Sequence, residues 1–295
     1  MSSSARPGGE PRTLAVLGSP IAHSKSPSLH TAAYAVLGLP WSYRAVEVIE
    51  GSLGAFVNTL DSSWRGLSLT MPLKREVLPM LGSRTQLVET VGAANTVLLD
   101  EDGVLHGFNT DVAGIVAAFA DHGVTSLENV QILGSGATAA SVLAAVSTLG
   151  VTRALVSARD PERAASLEPL AAALGVELTI RRLGMMDRSL SVPSAVIATV
   201  PGASDHGMVY PEALRRGAVL LDVAYEPWPS ELAAAWSEVG GTVVSGLEML
   251  LHQAIAQVRI FVTGVEGGAL AREPEVVAAM RTSVGLPVPN NGSAT

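Results

Sequence analysis

The chain has 295 residues, 48% of them hydrophobic and 16% charged, with a net charge of −8 and no cysteine. That length and apolar content suit one large or two ordinary globular domains and exclude a disordered chain. The acidic balance disfavours a non-specific nucleic-acid or anionic-membrane partner, and the missing cysteines exclude disulfides, thiolate catalysis and cysteine-ligated zinc.

Residues 1–11 read as a loose tail with no apolar core, hence no secretory signal, which points to a cytoplasmic protein. Short β-type runs then alternate with longer Ala-rich stretches, the pattern of a parallel sheet flanked by helices. Strands are predicted at 13–17, 42–46, 66–69, 96–99 and 104–107, with one helix starting near Pro27 and another running from near Asp111 to before Gly123. A second series follows: strand 130–133, helix 138–149, strand 154–157, helix 161–174, then strands 177–180, 195–198, 219–222 and 242–244. Helices at 247–261 and 274–282 close the chain before a second tail, 286–295. No apolar run reaches the ~20 residues of a membrane-spanning helix. The six histidines show no metal-ligand spacing, so no metal is expected. The fold class is α/β: two α/β domains, 12–113 and a Rossmann-type 114–245, with C-terminal helices (246–284) packing back on the first.

Only two of the nineteen basic residues are lysines, Lys25 and Lys74. A lysine amine can be tuned to give up its proton, which an arginine cannot. Lys25 reads equally well as solvated surface or as a functional group. Lys74 is the better functional candidate, because Thr70 and Lys74 bracket Pro72 at the end of an apolar strand, where such sheets place ligand-facing residues. Asn95 opens the next strand, and Asn109-Thr-Asp111 stands at a helix entry, where Asp111 could simply be the cap. Ser24 and Ser26 could both face one polyhydroxylated ligand, or Ser26 could cap the helix near Pro27. A lysine and an aspartate within ~4–6 Å would hold each other charged and handle a proton at a carbonyl or alcohol.

The strand at 130–133 runs into Gly134-Ser-Gly-Ala-Thr-Ala139 and then a helical stretch, the Gly-x-Gly-x-x-Ala fingerprint in its strand–turn–helix setting. Gly134 makes the tight turn, Gly136 lets backbone approach a pyrophosphate, and Ala139 lets the helix pack on the strand; free N–H groups at the helix start offer donors. The next strand ends at Ala158, followed by Arg159, with Arg163 one turn on. Asp160 before Pro161 reads as a helix cap. Two arginines at this tip suit a 2′-phosphate and so NADP; Asp160 turned to the ribose would instead suit NAD, and an ion pair with Asp160 or Glu162 would leave the arginines structural.

Taken together, these segments resemble shikimate dehydrogenase. The motifs, in order, are Gly18-Ser-Pro-Ile-Ala-His-Ser-Lys-Ser-Pro27, Ser68-Leu-Thr-Met-Pro-Leu-Lys74, Gly92-Ala-Ala-Asn95-Thr, Asn109-Thr-Asp111, the glycine turn, Asp222-Val-Ala-Tyr225 and Gly246-Leu-Glu-Met-Leu-Leu-His-Gln253. The resemblance implies a substrate-binding and catalytic domain at 12–113 completed by 246–284, and an NADP-binding domain at 114–245. It implies that Lys74 and Asp111 are the catalytic pair, and that Ser24, Ser26, Thr70, Asn95, Tyr225 and Gln253 bind shikimate. It assigns the cofactor to Gly134, Ser135, Gly136, Ala137, Thr138, Ala139, Arg159, Arg163, Thr199, Gly246 and Met249. The chain departs from the family's usual pattern at Ser68 and Ala158, where Asn is common, and at Val200-Pro201, which replaces a more polar loop. The implied reaction is reversible reduction of 3-dehydroshikimate to shikimate with NADPH, by a monomer or homodimer. The alternatives are an NAD-using quinate/shikimate dehydrogenase and a non-catalytic regulator that binds a metabolite of the same pathway; a tetrahydrofolate dehydrogenase is weaker, since nothing suggests a pterin pocket.

Overall fold

The computed structural model describes residues 9–184, 192–200 and 208–289. The predicted tails at 1–11 and 286–295 lie largely outside the described residues, as does Pro201. The chain divides into two compact units, one holding the described residues of Met1–Arg84, Ala94–Phe108 and Ala254–Thr295, the other Thr85–Ala93 and Asn109–Gln253. The helix Asp111–Asp121, which a division after residue 113 would cut, stays whole in the second unit, where it packs on the helix Ala137–Thr148.

The first unit is built on β1 (Thr13–Gly18), β2 (Ser42–Glu47), β3 (Trp64–Leu69), β4 (Ser83–Arg84), β5 (Thr96–Leu99) and β6 (Leu105–Phe108), in the order β2-β1-β3-β5-β6-β4. This sheet is mixed, which corrects the expectation of a parallel one: β5 runs antiparallel to both β3 and β6. For the β5–β6 pair the reason lies in residues 100–104. That connection is too short for the crossover a parallel pair requires, so it closes a hairpin instead. Asp100 Oδ1 fastens the hairpin by accepting from the Asp102 and Val104 amides at 3.0 and 2.8 Å. The helices Ser26–Leu37 and Glu273–Ser283 pack on each other, and Arg65 Nε donates to the Phe261 carbonyl at 2.8 Å, tying β3 to the second half of the helix Gly246–Thr263.

The second unit has six parallel strands, β7 (Asn129–Leu133), β8 (Arg153–Ala158), β9 (Glu177–Arg182), β10 (Ala195–Ala198), β11 (Val219–Asp222) and β12 (Val243–Ser245). Their order, β12-β11-β10-β7-β8-β9, reverses direction at β7, the doubly wound arrangement that puts its ligand crevice at the carboxyl end of that strand. Residues 139–146 of the helix after β7 are all buried, as befits a run of Ala, Ser, Val and Leu apolar on every side. The helix expected over 161–174 is broken into Pro161–Ala164, a 3₁₀ turn Ala165–Leu167 and Glu168–Ala173. Pro169 is the cause, for it has no amide hydrogen and its ring crowds the carbonyl four residues back.

Candidate active site

In the first unit the antiparallel β5 begins beside the end of β3, and this brings Asn95 to the segment Thr70–Lys74. The Leu69 amide donates to the Asn95 carbonyl at 2.8 Å and the Ala94 amide to the Lys74 carbonyl at 2.9 Å. Lys74 lies in the short helix Leu73–Glu76 and is only 8% exposed, whereas neighbouring Arg75 is exposed. Glu76 pins that segment by accepting from the Gly51 and Leu53 amides, both at 3.0 Å. Thr70 is half-buried, its amide donating to the Leu17 carbonyl at 2.9 Å.

Ser24 is half-buried and its Oγ accepts from the Ser26 amide at 3.3 Å. Ser26 does not cap the helix near Pro27: it is that helix's first residue, and Lys25, exposed, occupies the cap position without a side-chain bond to the helix. Ser26 is buried. Tyr43 OH donates to Ser68 Oγ at 2.7 Å, and Ser68 Oγ to Gln257 Oε1 at 2.8 Å. Gln257 Nε2 donates to the Asn95 carbonyl at 3.3 Å and to Thr96 Oγ1 at 3.0 Å, and Thr96 donates to Asn95 Oδ1 at 2.8 Å. His30, fully buried, stacks on Tyr43 with ring centroids 3.9 Å apart; its Nε2 lies 3.2 Å from Gln257 Oε1 and its Nδ1 3.1 Å from Tyr34 OH. Burial pushes the His30 pKa down to about 3, against an opposing hydrogen bond with Gln257, so the ring is neutral at pH 7. Burial also raises the Tyr43 pKa, with Ser68 and Ser26 opposing, and the phenol keeps its proton. Sequence reasoning missed Tyr43, His30 and Gln257. Their one legible signal was the spacing of His30 and Tyr34, which puts both on one helix face.

In the second unit Asn109, not Asp111, supplies the side-chain cap of the helix Asp111–Asp121. Its Oδ1 accepts from the Asp111 amide at 3.1 Å and the Val112 amide at 3.4 Å, while its Nδ2 donates to the Ala93 carbonyl at 3.0 Å and Ser141 Oγ at 3.2 Å. The capping duty that the sequence allowed for Asp111 is thus already met, and its carboxylate is buried at the first helical position. Gln253 is buried; its Nε2 donates to the Leu250 carbonyl at 3.0 Å and its Oε1 accepts from Thr110 at 3.4 Å. Tyr225 is half-buried in the loop after β11, where Asp222 accepts from the Ala224 amide at 3.0 Å and from the Ser230 hydroxyl.

The turn after β7 fits a dinucleotide phosphate. Gly134 has φ +108, and a Cβ there would lie 2.5 Å from Thr199 Oγ1, which itself donates to the Leu133 carbonyl at 2.8 Å. Gly136 is extended and caps the helix Ala137–Thr148; a Cβ on it would meet nothing within 4 Å, and no side chain caps the helix among the described residues. Open space thus faces unsatisfied helix N–H groups, the arrangement a phosphate fills. Ser135, Ala137 and Thr138 are half-buried around that space, and Ala139 is fully buried against the sheet. At the tip of β8 Asp160 Oδ1 accepts from the Arg163 amide at 3.1 Å, the cap read from the sequence. One of its two carboxylate oxygens is therefore engaged by its own helix. Arg159 and Arg163 are exposed, and among the described residues neither is ion-paired with Asp160 or Glu162. Ala158 is buried and offers no polar group. Gly246 has a packing reason of its own, since a Cβ there would come 2.1 Å from the Val223 carbonyl oxygen, and Met249 is buried in the unit's core.

Comparison with known proteins gives one result at three levels. A family profile for the shikimate dehydrogenase substrate binding domain matches residues 16–97. A shikimate dehydrogenase (NADP(+)) of Moorella thermoacetica is 32% identical over 93% of this chain and 95% of its own length. Among solved structures, shikimate dehydrogenase of Mycobacterium tuberculosis is 37% identical, with a TM-score of 0.79 over 92% of this chain and 100% of that one. A quinate dehydrogenase of Corynebacterium glutamicum, solved with NAD, has the same TM-score at 26% identity, over 93% and 99% of the two chains. The fold is therefore common to both activities, and choosing between them falls to the side chains.

Proposed function

The chain belongs to the shikimate dehydrogenase family, and on that premise we propose how its own residues perform the family's reaction, the reversible reduction of 3-dehydroshikimate to shikimate with NADPH. When bound, NADPH supplies the hydride that adds to the ring carbonyl carbon. The carbonyl oxygen then gathers negative charge and must gain a proton. Lys74 provides both, its ammonium stabilising the developing charge and passing a proton to that oxygen; in the reverse direction the amine takes it back. Asp111 orients Lys74 and accepts a hydrogen bond from the adjacent substrate hydroxyl.

Ser24, Ser26, Thr70, Asn95, Tyr225 and Gln253 hold the substrate's hydroxyls and carboxylate. The turn 134–139, with Thr199, Gly246 and Met249, holds the cofactor, and Arg159 and Arg163 take its 2′-phosphate. The working form is a monomer or homodimer in the cytoplasm, which light scattering and cell fractionation would check. The observation that carries the reading is Lys74: a lysine 8% exposed at the end of β3, its carbonyl bonded to the amide of Ala94, next to Asn95. A charged amine is kept that far from water only where polar partners compensate it.

The test is absorbance at 340 nm with shikimate or quinate and NADP or NAD. Reduction of NADP by shikimate is the expected result. Preference for NAD with quinate would overturn the substrate and cofactor assignments, and ligand binding without turnover would make the protein a regulator.

A further inference from the structure

The buried hydrogen bonds of the first unit form one chain, and a single atom sets its direction. The backbone carbonyl of Asn95 can only accept, so the group of Gln257 that faces it at 3.3 Å must be the amide nitrogen. The Gln257 oxygen then faces Ser68 and His30. Ser68 must spend its proton on that oxygen, so it accepts from Tyr43. His30, neutral, must carry its proton on Nε2, which leaves Nδ1 to accept from Tyr34. At the other end Thr96 accepts from Gln257 and donates to Asn95 Oδ1. The relay runs Tyr43, Ser68, Gln257, Thr96, Asn95, and its last member is a residue assigned above to the substrate.

We infer that Gln257 is a positioning residue: it fixes the proton direction of this relay, so that Asn95 meets the substrate as an amide N–H donor. The inference rests on the functional reading above. Gln257 itself touches neither substrate nor cofactor in this account. It acts by denying Asn95 the flipped amide orientation, which would present an acceptor where a donor is needed.

Gln257→Met keeps the length and volume of the side chain but ends the relay, and Thr96→Val removes only the last link. Both should raise the KM for shikimate about tenfold, the worth of one misdirected hydrogen bond, while kcat and the KM for NADP change less than about twofold. Thr96→Ser, which restores the hydroxyl, should restore the KM. If Gln257→Met folds poorly, the Thr96 pair carries the test alone, since valine is nearly isosteric with threonine. A wild-type chain that turns over shikimate while both variants keep its KM overturns the inference alone. Equal loss from Thr96→Ser and Thr96→Val also overturns it, because packing and not the hydroxyl would then be at issue. A wild-type chain that does not turn over shikimate overturns the functional reading and this inference with it.

Discussion

The two units present their candidate ligand groups by opposite means. In the first, the groups are side chains, and one of them, Asn95, is aimed by two other buried side chains, Thr96 and Gln257. In the second, the phosphate site is mostly backbone, a glycine turn and the open N-terminus of a helix whose own residues are alanine, serine, threonine, valine and leucine. The contrast follows from the ligands. A polyhydroxylated ring must be told apart from near relatives, which takes donors and acceptors in a set order. A pyrophosphate needs only several N–H groups and the positive end of a helix dipole. Substitutions should therefore harm the first unit's site through orientation and the second unit's through loss of space.

The largest effect is expected at Lys74. Lys74→Ala should lower kcat by about 10²–10⁴-fold, the range of a lost general acid, with substrate affinity little changed. Lys74→Arg should be similarly impaired, because it keeps the charge without a transferable proton; near-wild-type turnover in it would remove Lys74 as proton donor.

In the second unit Gly136→Val fills space that the backbone leaves open. It should weaken NADP binding by about 100-fold, comparable with losing the best contacts of a phosphate site, at little cost in melting temperature, since the new Cβ meets nothing within 4 Å. Titration of NADP by fluorescence, beside a thermal melt, separates the two. A lowered melting temperature with intact binding would mean the turn is structural only.

A third difference is electrostatic, and it belongs to the first unit. The folded pKa of His30 is about 3 against an ordinary 6.5, so between these values the unfolded chain binds the extra proton. The contribution to stability is therefore complete above pH 6.5 and lost as pH falls towards 3. At pH 5 the loss is about 2 kcal/mol, roughly 4–8 °C in melting temperature for a unit of this size. His30→Gln should lack this part of the acid sensitivity when both proteins are melted at pH 7 and pH 5. Equal losses in the two would assign the titration elsewhere.

The smallest effect is expected at the tip of β8, where Arg159→Ala should cut the preference for NADP over NAD about tenfold, one charge-assisted contact to the 2′-phosphate. Unchanged preference in steady-state kinetics would return that arginine to plain surface.

The same contrast explains what could be read without coordinates. In the second unit every strand was placed to within two residues, because parallel strands buried on both faces are short apolar runs punctuated by turns. The helix expected over 161–174 failed at Pro169, a local signal passed over, and the short helices Gln86–Val91, Glu212–Gly217 and Glu231–Glu238 were not expected. The cap formed by Asp160 was legible too, since a cap is local chemistry. In the first unit five of the six strands were also legible, the two-residue β4 was not, and the pairing was not read correctly, although the short connection 100–104 already required a hairpin. The capping alternatives for Ser26 and Asp111 stayed open until the structure placed them: Ser26 is the first residue of its helix, and Asn109 takes the capping duty from Asp111.

The sequence by itself determined the α/β class, the glycine turn and the residue types available for chemistry, because periodicity, turn residues and caps act over a few positions. Tertiary structure alone decided that β5 runs antiparallel to β3 and so brings Asn95 to Lys74, and that Gln257 lies between Ser68 and Thr96. Each of these contacts joins residues far apart in the chain, and a hydrogen-bond direction exists only once both partners are fixed in space.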